Sequence, residues 1–400
     1  MEIRGVPVVM YHGVGPTLET WQWRYLITPL AVFEGQMRRL RDEGWHTITL
    51  ARLHDHLSRG TRLPARSVVL TFDDGYLDNW VYAYPVLKRF GHHAVIWMST
   101  DFVDPCGTAR PTLEDYRAGR IPRGELPGPG YLSWEEMRRM VESGHVEIQS
   151  HARTHTWYPS GPEIIDFHRP SGVGAYMPPP WLGWNMFPER KYEYMTAGLE
   201  DLVPYGTPVY RHTKALAGRR YFEDPGLMEL LTERVKEGGG RAFFTKSGWR
   251  RELRGLADRH PPGGGRFETD SEYEERVRME LAESRGAIAG ALGTAVDYLC
   301  WPGGGRNAVT IRIAEEVGYL ATTTHFLDTE RRNVYGQDPR EINRIGSGAP
   351  WVWRGTVIMN TEPRFFTALL EAFAGNKKSL LTARLYKLKY LFRHFLFGWE

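Results

Sequence analysis

One short stretch of this chain limits both its fold and its chemistry: an apolar run that ends in two adjacent carboxylates. Residues 67–72 are rich in β-branched and apolar side chains and follow Pro64, which predicts a short buried strand. Asp73 and Asp74 come directly after it. Neighbouring carboxylates repel each other, and burying them is costly unless a cation or hydrogen-bond donors compensate. We therefore expect one aspartate to bind a metal ion and the other to act as a base beside it.

A second predicted strand, residues 146–150, is followed by two histidines. His151 and His155 stand four positions apart, which places both imidazoles on one face of a helical turn. One carboxylate oxygen and two imidazole nitrogens leave positions open for water and substrate, as in catalytic metal sites. The alternative is a surface histidine pair and an aspartate pair that caps a helix. Because both motifs directly follow strands, the metal site is favoured.

A further histidine, His12, follows a strand predicted over residues 6–11. In α/β barrels the ends of the strands carry the chemistry, so His12 is a candidate catalytic imidazole. The alternative is a loop residue that packs against Tyr11.

Together these motifs resemble those of the metal-dependent polysaccharide deacetylases, the NodB-homology family of carbohydrate esterases, in the branch that begins with a Met-Tyr-His motif. The resemblance covers roughly residues 5–157 and 270–346 in the same order. The matching stretches are residues 8–12 (VVMYH), 71–76 (TFDDGY), 150–155 (SHARTH) and 300–305 (CWPGGG).

The resemblance implies hydrolytic removal of an N-acyl group from an amino sugar. Asp74, His151 and His155 would bind a divalent cation. Zinc is preferred for a mixed histidine and carboxylate set, with Co²⁺, Ni²⁺ or Mn²⁺ as alternatives. Asp73 would take a proton from the attacking water, and His12 would protonate the leaving amine.

The resemblance also suggests residues that contact the substrate. The backbone N–H of Tyr76 would help to hold the oxyanion, and the turn at Trp301, Pro302 and Gly303 would line the sugar pocket. Arg344 either holds a carboxylate of the site or forms an ordinary surface ion pair, and the sequence favours neither.

The order of predicted elements indicates the fold. Strands alternate with helices over residues 1–157 and 270–346, and one helix begins with a capping box formed by Ser133 and Glu136. With the resemblance, this predicts an α/β fold: a distorted (β/α)7-type barrel with an inserted subdomain and a C-terminal amphipathic helix.

Residues 158–269 interrupt this alternation and are interpreted as an inserted subdomain or lid. It is either a peripheral addition or a lid that shapes the substrate pocket with Trp181, Trp184 and Phe187. Residues 347–376 form a C-terminal extension.

The last segment, residues 377–400, predicts a basic amphipathic helix. It carries six Lys or Arg against one Glu, and apolar residues recur every three or four positions from Leu381 to Trp399. This composition is typical of helices that lie on anionic membrane surfaces. The alternatives are a helix docked on the barrel and a dimer interface.

Net charge and cysteine content argue against two further classes of protein, nucleic-acid binders and disulfide-stabilised proteins. A net charge of +3 over 400 residues argues against a nucleic-acid partner, and the two cysteines, Cys106 and Cys300, indicate no disulfide framework. Because the first residues do not resemble a secretion signal, we expect a cytoplasmic protein, peripheral on the inner face of the membrane.

We therefore expect the substrate to be a lipid-linked or membrane-proximal N-acetylhexosamine glycan. One alternative is a soluble polysaccharide such as poly-N-acetylglucosamine or chitin. The other is an inactive carbohydrate-binding protein on the same fold.

Overall fold

The computed structural model describes residues 5–16, 18, 21–173, 176–261, 263–324, 332–354 and 356–397. Within them the largest sheet has nine strands, all parallel. In chain order these are β1 (Val8–Tyr11), β2 (His46–Thr47), β3 (Ser67–Phe72), β4 (Ala94–Met98), β5 (Val146–Ser150), β6 (Tyr298–Leu299), β7 (Ala321–Thr323), β8 (Glu341–Ile342) and β9 (Ile345–Gly346). Their order in space is β8-β7-β6-β5-β4-β3-β1-β9, and β2 pairs with β3.

The central strands are buried along their whole length. Every residue of β3 and of β4 is buried. Parallel sheets are covered on both faces, so their strands carry continuous apolar runs instead of an alternating pattern. This is why residues 67–72 could be identified as a strand.

The sheet curls until its two edges come close together. β8 and β9 lie at opposite ends of the strand order, yet only Asn343 and Arg344 separate them in sequence. Such a connection spans at most about 11 Å. Asn333 bridges the same region: its Nδ2 donates to the carbonyl oxygens of Val6 and Asn343, both at 2.8 Å. The predicted α/β fold of barrel type is therefore confirmed, as an open, curled parallel sheet.

The other elements surround or extend this sheet. The α-helices of the described residues are α1 (Leu30–Asp42), α2 (Leu50–Arg59), α3 (Tyr84–Phe90), α4 (Leu113–Arg117), α5 (Trp134–Glu142), α6 (Pro180–Met186), α7 (Tyr194–Ala197), α8 (Pro225–Glu237), α9 (Trp249–Arg259), α10 (Asp270–Leu292), α11 (Ala308–Val317), α12 (Pro363–Phe373) and α13 (Lys377–Phe397). A π-helical turn, Asn79–Ala83, leads into α3. Short 3-10 helices occur at Arg24–Leu26, Thr100–Phe102, Arg123–Glu125, Pro188–Glu193, Leu199–Leu202, Gly240–Thr245 and Pro302–Gly304.

Four two-stranded pairs complete the described residues. One is parallel, Gly13–Gly15 with Ile27–Pro29. The others are antiparallel: Trp157–Phe167 with Pro208–Lys214, Tyr221–Phe222 with Arg266–Phe267, and Trp351–Trp353 with Thr356–Ile358. The predicted capping box of α5 is confirmed, since the Glu136 carboxylate accepts from the Ser133 N–H at 2.9 Å and the Ser133 hydroxyl accepts from the Glu136 N–H at 3.3 Å.

The chain forms two compact units. The first comprises Met1–Ala152, Ser284–Gly304 and Gly318–Glu400, and it contains the nine-stranded sheet. The second comprises Arg153–Glu283 and Gly305–Val317. The second unit has its own apolar core, with Ile164, Phe167, Tyr210, Leu231, Val235, Phe243, Phe244 and Leu253.

Two of the three residues proposed for a lid differ in exposure. Trp184 is 1% exposed, and Trp181 is half-buried against His212, with ring centroids 4.3 Å apart. Trp184 therefore belongs to the interior of the second unit. The bounds 158–269 and the lid itself stay predictions.

The C-terminal helix α13 extends to Phe397, and the rest of the predicted segment, residues 398–400, lies outside the described residues. Its inner side packs on α12 through Ala383, which lies in one buried apolar cluster with Phe365 and Ala368. Over the described residues, no helix combines the length and apolar composition that a membrane span requires.

Candidate active site

Five of the predicted site residues follow the carboxyl ends of sheet strands. His12 follows β1, and His151 follows β5. Asp73 and Asp74 follow β3, and Arg344 follows β8 after one intervening residue. Because all these strands are parallel, their carboxyl ends share one rim of the sheet. The curled sheet thus collects side chains that are hundreds of residues apart in sequence.

Asp73 is a buried carboxylate paired with a buried guanidinium. Arg344 Nη1 donates to Asp73 Oδ1 at 2.6 Å, and the two side chains are 7% and 5% exposed. Burial alone would raise the pKa of Asp73, but Arg344, His12 and His151 outweigh it and lower that pKa below its ordinary value. Asp73 is therefore an anion that can accept a proton.

The second oxygen of Asp73 lies between an imidazole and a thiol. His12 Nε2 is 3.9 Å from Asp73 Oδ2, and Cys300 Sγ donates to the same oxygen at 3.7 Å. The thiol is a weak donor, so it stabilises this oxygen much less than Arg344 stabilises the first. Oδ2 is accordingly the better proton acceptor of the two.

The orientation of His151 is fixed by a backbone carbonyl. Its Nδ1 lies 2.8 Å from the carbonyl oxygen of Cys300, and a carbonyl oxygen only accepts, so Nδ1 carries the proton. Nε2 then presents a lone pair to Asp74 Oδ1 at 3.2 Å. Two lone pairs at this separation need a proton or a cation between them. Burial lowers the pKa of His151, but Cys300, Asp74 and Asp73 raise it well above its ordinary value, which shows how strongly the position favours positive charge.

His155 completes a group suited to a metal ion. One ligand atom from each of Asp74, His151 and His155 lies within 4.8 Å of the others. Asp73, His151 and Cys300 meet the same criterion, but all three are buried, and Arg344 already neutralises Asp73. In the first group Asp74 and His155 are half-buried, which leaves access for water and substrate. The first group is therefore the better catalytic metal site.

The two histidines do not share a helical turn, so that part of the prediction was wrong. Residues 151–156 form an irregular loop, in which Ala152 has φ 58° and His155 has φ 41°. Residues in this left-handed region interrupt a right-handed helix. The imidazole of His155 packs instead against Trp157 and Trp184, with ring centroids 5.8 and 6.4 Å away.

The turn after β3 holds Asp74 in a costly backbone conformation. Its φ of 74° lies in the left-handed region, which costs a non-glycine residue roughly 1–2 kcal/mol. Gly75 follows with φ 70°, and a Cβ there would lie 2.1 Å from Met98 Sδ. Strain of this kind concentrates at functional sites. The turn thus strongly favours glycine at position 75 and holds Asp74 at an energetic cost.

Comparison with known proteins assigns this region to a family. The family model for polysaccharide deacetylases matches residues 60–169, which include both aspartates and both histidines. This part of the chain matches the polysaccharide deacetylase family. The resemblance to the NodB-homology deacetylases is thereby confirmed, while His12 and Arg344 lie outside the matched residues.

Individual relatives match only part of their own length. The chain is 37% identical over 150 residues to YxkH of Bacillus subtilis (strain 168), named as a candidate polysaccharide deacetylase; the match covers 38% of this chain and 43% of that protein. It is 26% identical over 153 residues to the poly-beta-1,6-N-acetyl-D-glucosamine N-deacetylase of Escherichia coli (strain K12), covering 38% and 21%. The matches therefore span less than half the length of these curated relatives.

Among solved structures, the chain is similar to the BpsB deacetylase domain of Bordetella bronchiseptica. The identity is 20% and the TM-score 0.49, over 86% of this chain and 96% of that chain.

The residues expected to contact the substrate differ in exposure. Tyr76 is 4% exposed and packs against Tyr131, with ring centroids 5.5 Å apart. Trp301 is 1% exposed, Pro302 is buried and Gly303 is exposed. Their roles in holding the oxyanion and lining the sugar pocket stay predictions.

One residue of the candidate site was missed from the sequence. From the sequence, Cys300 was part of the 300–305 stretch and one of two cysteines without a disulfide framework, with no role in the site, yet its carbonyl orients His151 and its thiol contacts Asp73. A backbone carbonyl carries no residue-specific signal. The thiol's position just before the Trp301 turn was the only hint available.

We predict that Arg344→Gln destabilises the metal-free protein by about 3–5 kcal/mol, because it leaves Asp73 as a buried charge without its guanidinium. Asp73→Asn combined with Arg344→Gln should recover most of that loss. Urea unfolding of the chelated proteins measures both effects. The matched control is Arg340→Gln, which breaks an exposed pair with Asp338 in the same segment and should cost no more than about 1 kcal/mol. Equal costs for the two single variants would contradict the buried-pair account.

Proposed function

We propose that this protein is a metal-dependent hydrolase that removes the N-acetyl group, or another N-acyl group, from an amino sugar. The observation that carries the proposal is the ion-paired Asp73 carboxylate directly beside the Asp74, His151 and His155 group. A base held next to a metal site is what hydrolysis of an unactivated amide requires. A pure binding protein has no need of it.

Each side chain has a distinct role in this proposal. Asp74, His151 and His155 hold the cation, for which we propose zinc. When bound, such an ion polarises the acyl carbonyl and acidifies a water. Asp73 Oδ2 accepts a proton from the attacking water as the water oxygen bonds to the acyl carbon. His12 donates a proton to the amine nitrogen as the C–N bond breaks, which yields a carboxylic acid and a free amine.

Two substrate classes are supported by different observations. The Escherichia coli relative is named for a polymer of N-acetylglucosamine, which supports a polysaccharide substrate. The shape of helix α13 supports the other class, a lipid-linked or membrane-proximal N-acetylhexosamine glycan. We favour the second.

Helix α13 has three distinct sides. Its buried positions, Ser379, Ala383 and Tyr390, recur at helical spacing. At about 100° per residue the opposite side carries apolar residues. All of these are at least half exposed: Leu381, Leu385, Leu388, Phe392, Phe395 and Leu396. Six exposed basic residues flank them on both sides: Lys377, Lys378, Arg384, Lys387, Lys389 and Arg393.

This arrangement supports a helix that lies in a membrane surface. The apolar side would enter the headgroup region while the basic flanks contact anionic lipids. We also propose that the protein works on the cytoplasmic face, since Cys106 and Cys300 are free thiols and Cys300 lies in the site.

The direct test is acetate release from two substrates, a short soluble N-acetylglucosamine oligomer and a polyprenyl-linked N-acetylglucosamine. We expect chelator-sensitive release that Zn²⁺ restores, with the lipid-linked substrate preferred. Asp73→Asn is the control, because it should keep the metal and lose turnover. Release from the oligomer alone would replace the lipid-linked substrate by a polysaccharide. No release from either by the zinc-loaded protein would contradict the proposal and favour an inactive carbohydrate-binding protein.

A separate prediction concerns the membrane. Substituting Leu385, Leu388 and Phe392 by Gln should weaken binding to anionic vesicles roughly tenfold or more, because the apolar side can no longer enter the bilayer. Hydrolysis of the soluble oligomer should not change, since the inner side of α13 is intact. The control replaces three exposed apolar residues of the second unit by Gln: Leu202, Leu230 and Met279. Vesicle sedimentation that does not separate the two triple variants would contradict the membrane role.

A further inference from the structure

The backbone of His12 is held by a side chain that the sequence did not single out. Asn79 Nδ2 donates to the carbonyl oxygen of His12 at 2.8 Å and to Asp78 Oδ1 at 2.8 Å. Asn79 is 1% exposed, so water competes little for these hydrogen bonds. It begins the π-helical turn Asn79–Ala83, and short π-helical segments often occur at functional sites.

Asp78 holds the next two residues of the same loop. A Cβ on Gly13 would lie 2.5 Å from Asp78 Oδ2, so only glycine lets the carboxyl group come this close. The carboxyl group also accepts a hydrogen bond from the Val14 N–H. Burial raises the pKa of Asp78 to about 8, against the lowering effect of Val14 and Asn79, so near neutral pH the group adds little charge beside Asp73.

Tyr82 contacts the end of the loop. A Cβ on Gly15 would lie 2.9 Å from Tyr82 Cδ2. We call Asp78, Asn79 and Tyr82 the cradle. It contacts four consecutive residues after β1, residues 12–15, in the loop that carries the imidazole.

We infer that Asn79, supported by Asp78, is a positioning residue. It holds His12 so that the imidazole lies beside Asp73 and can protonate the leaving amine. The inference rests on the proposed function. His12 Nε2 lies 3.9 Å from Asp73 Oδ2, and the side chain of Asn79 holds the His12 backbone through its carbonyl oxygen. One continuous segment, residues 73–83, would thus carry the base, a metal ligand and the support of the acid.

The chemistry of the leaving group separates this role from a general structural one. An amine must be protonated as it leaves, so amide hydrolysis depends on His12. A nitrophenolate leaves without a proton, so hydrolysis of para-nitrophenyl acetate needs the base and the metal site but not the acid. Loss of the cradle should therefore affect the amide and spare the ester.

The experiment compares Asn79→Ala, His12→Ala and the double variant in the zinc-loaded, full-length protein. With the soluble N-acetylglucosamine oligomer, Asn79→Ala should lower kcat by about 10- to 100-fold at unchanged KM and metal content, within the range of general-acid effects. Hydrolysis of para-nitrophenyl acetate should stay within about twofold, because its leaving group needs no acid. On the His12→Ala background, Asn79→Ala should add no further loss, as expected for two residues that act as one unit.

Two further variants test whether misfolding, and not the lost hydrogen bond, explains a loss of activity. Asn79→Asp keeps the shape of the side chain but loses the donor, and it should behave like Asn79→Ala. Asn360→Ala removes another buried asparagine whose side chain bonds to backbone, and it should leave both reactions unchanged. Equal losses on amide and ester, an additive loss in the double variant, or no loss at all would each overturn the inference.

Hydrogen exchange tests the cradle without any turnover. Asn79→Ala should speed amide exchange of residues 13–15 by about tenfold, the loss expected for one buried hydrogen bond. Failure of the wild-type protein to release acetate would reject the proposed function. Unchanged exchange of this loop would reject the cradle.

Discussion

The buried ion pair between Asp73 and Arg344 separates the roles of two neighbouring carboxylates. Without it, two anions at the end of one buried strand would repel each other, and one would be expected to hold its proton. Arg344 neutralises the first carboxylate at 2.6 Å. The second, Asp74, faces Nε2 of His151, where a cation fits. One guanidinium thereby allows a base and a metal ligand to occupy consecutive positions.

The fold makes this pair possible by curling its sheet. Arg344 lies 271 positions after Asp73 and reaches it because β8 and β9, at opposite ends of the strand order, are two residues apart. Asn333 connects Val6 to Asn343 at the same place. The rim at which the edges approach is the one that carries His12, Asp73 and His151. The approach of the two sheet edges therefore also brings the residues of the site together.

Local sequence patterns allowed much of the fold and of the candidate site to be predicted. The features that depend on long-range geometry could not be predicted from them. The apolar run before Asp73 identified its strand, because buried parallel strands carry such runs. The spacing of His151 and His155 wrongly predicted a helical turn, because nothing in that spacing reveals a positive φ at Ala152. The partner of Arg344 depends on how the sheet curls, so the sequence left two options open. The carbonyl of Cys300 has no signature in any side chain.

The most direct test of this account is calorimetric titration of Zn²⁺ into the metal-free Asp73→Asn and Asp74→Asn proteins. The two changes are chemically identical and one residue apart, so they differ only in the environment of the carboxylate. We predict that Asp73→Asn keeps its zinc affinity within about tenfold, whereas Asp74→Asn loses binding by several orders of magnitude, as expected on removal of a direct ligand. The reverse order would contradict the account, because it would assign the metal to the Asp73, His151 and Cys300 group.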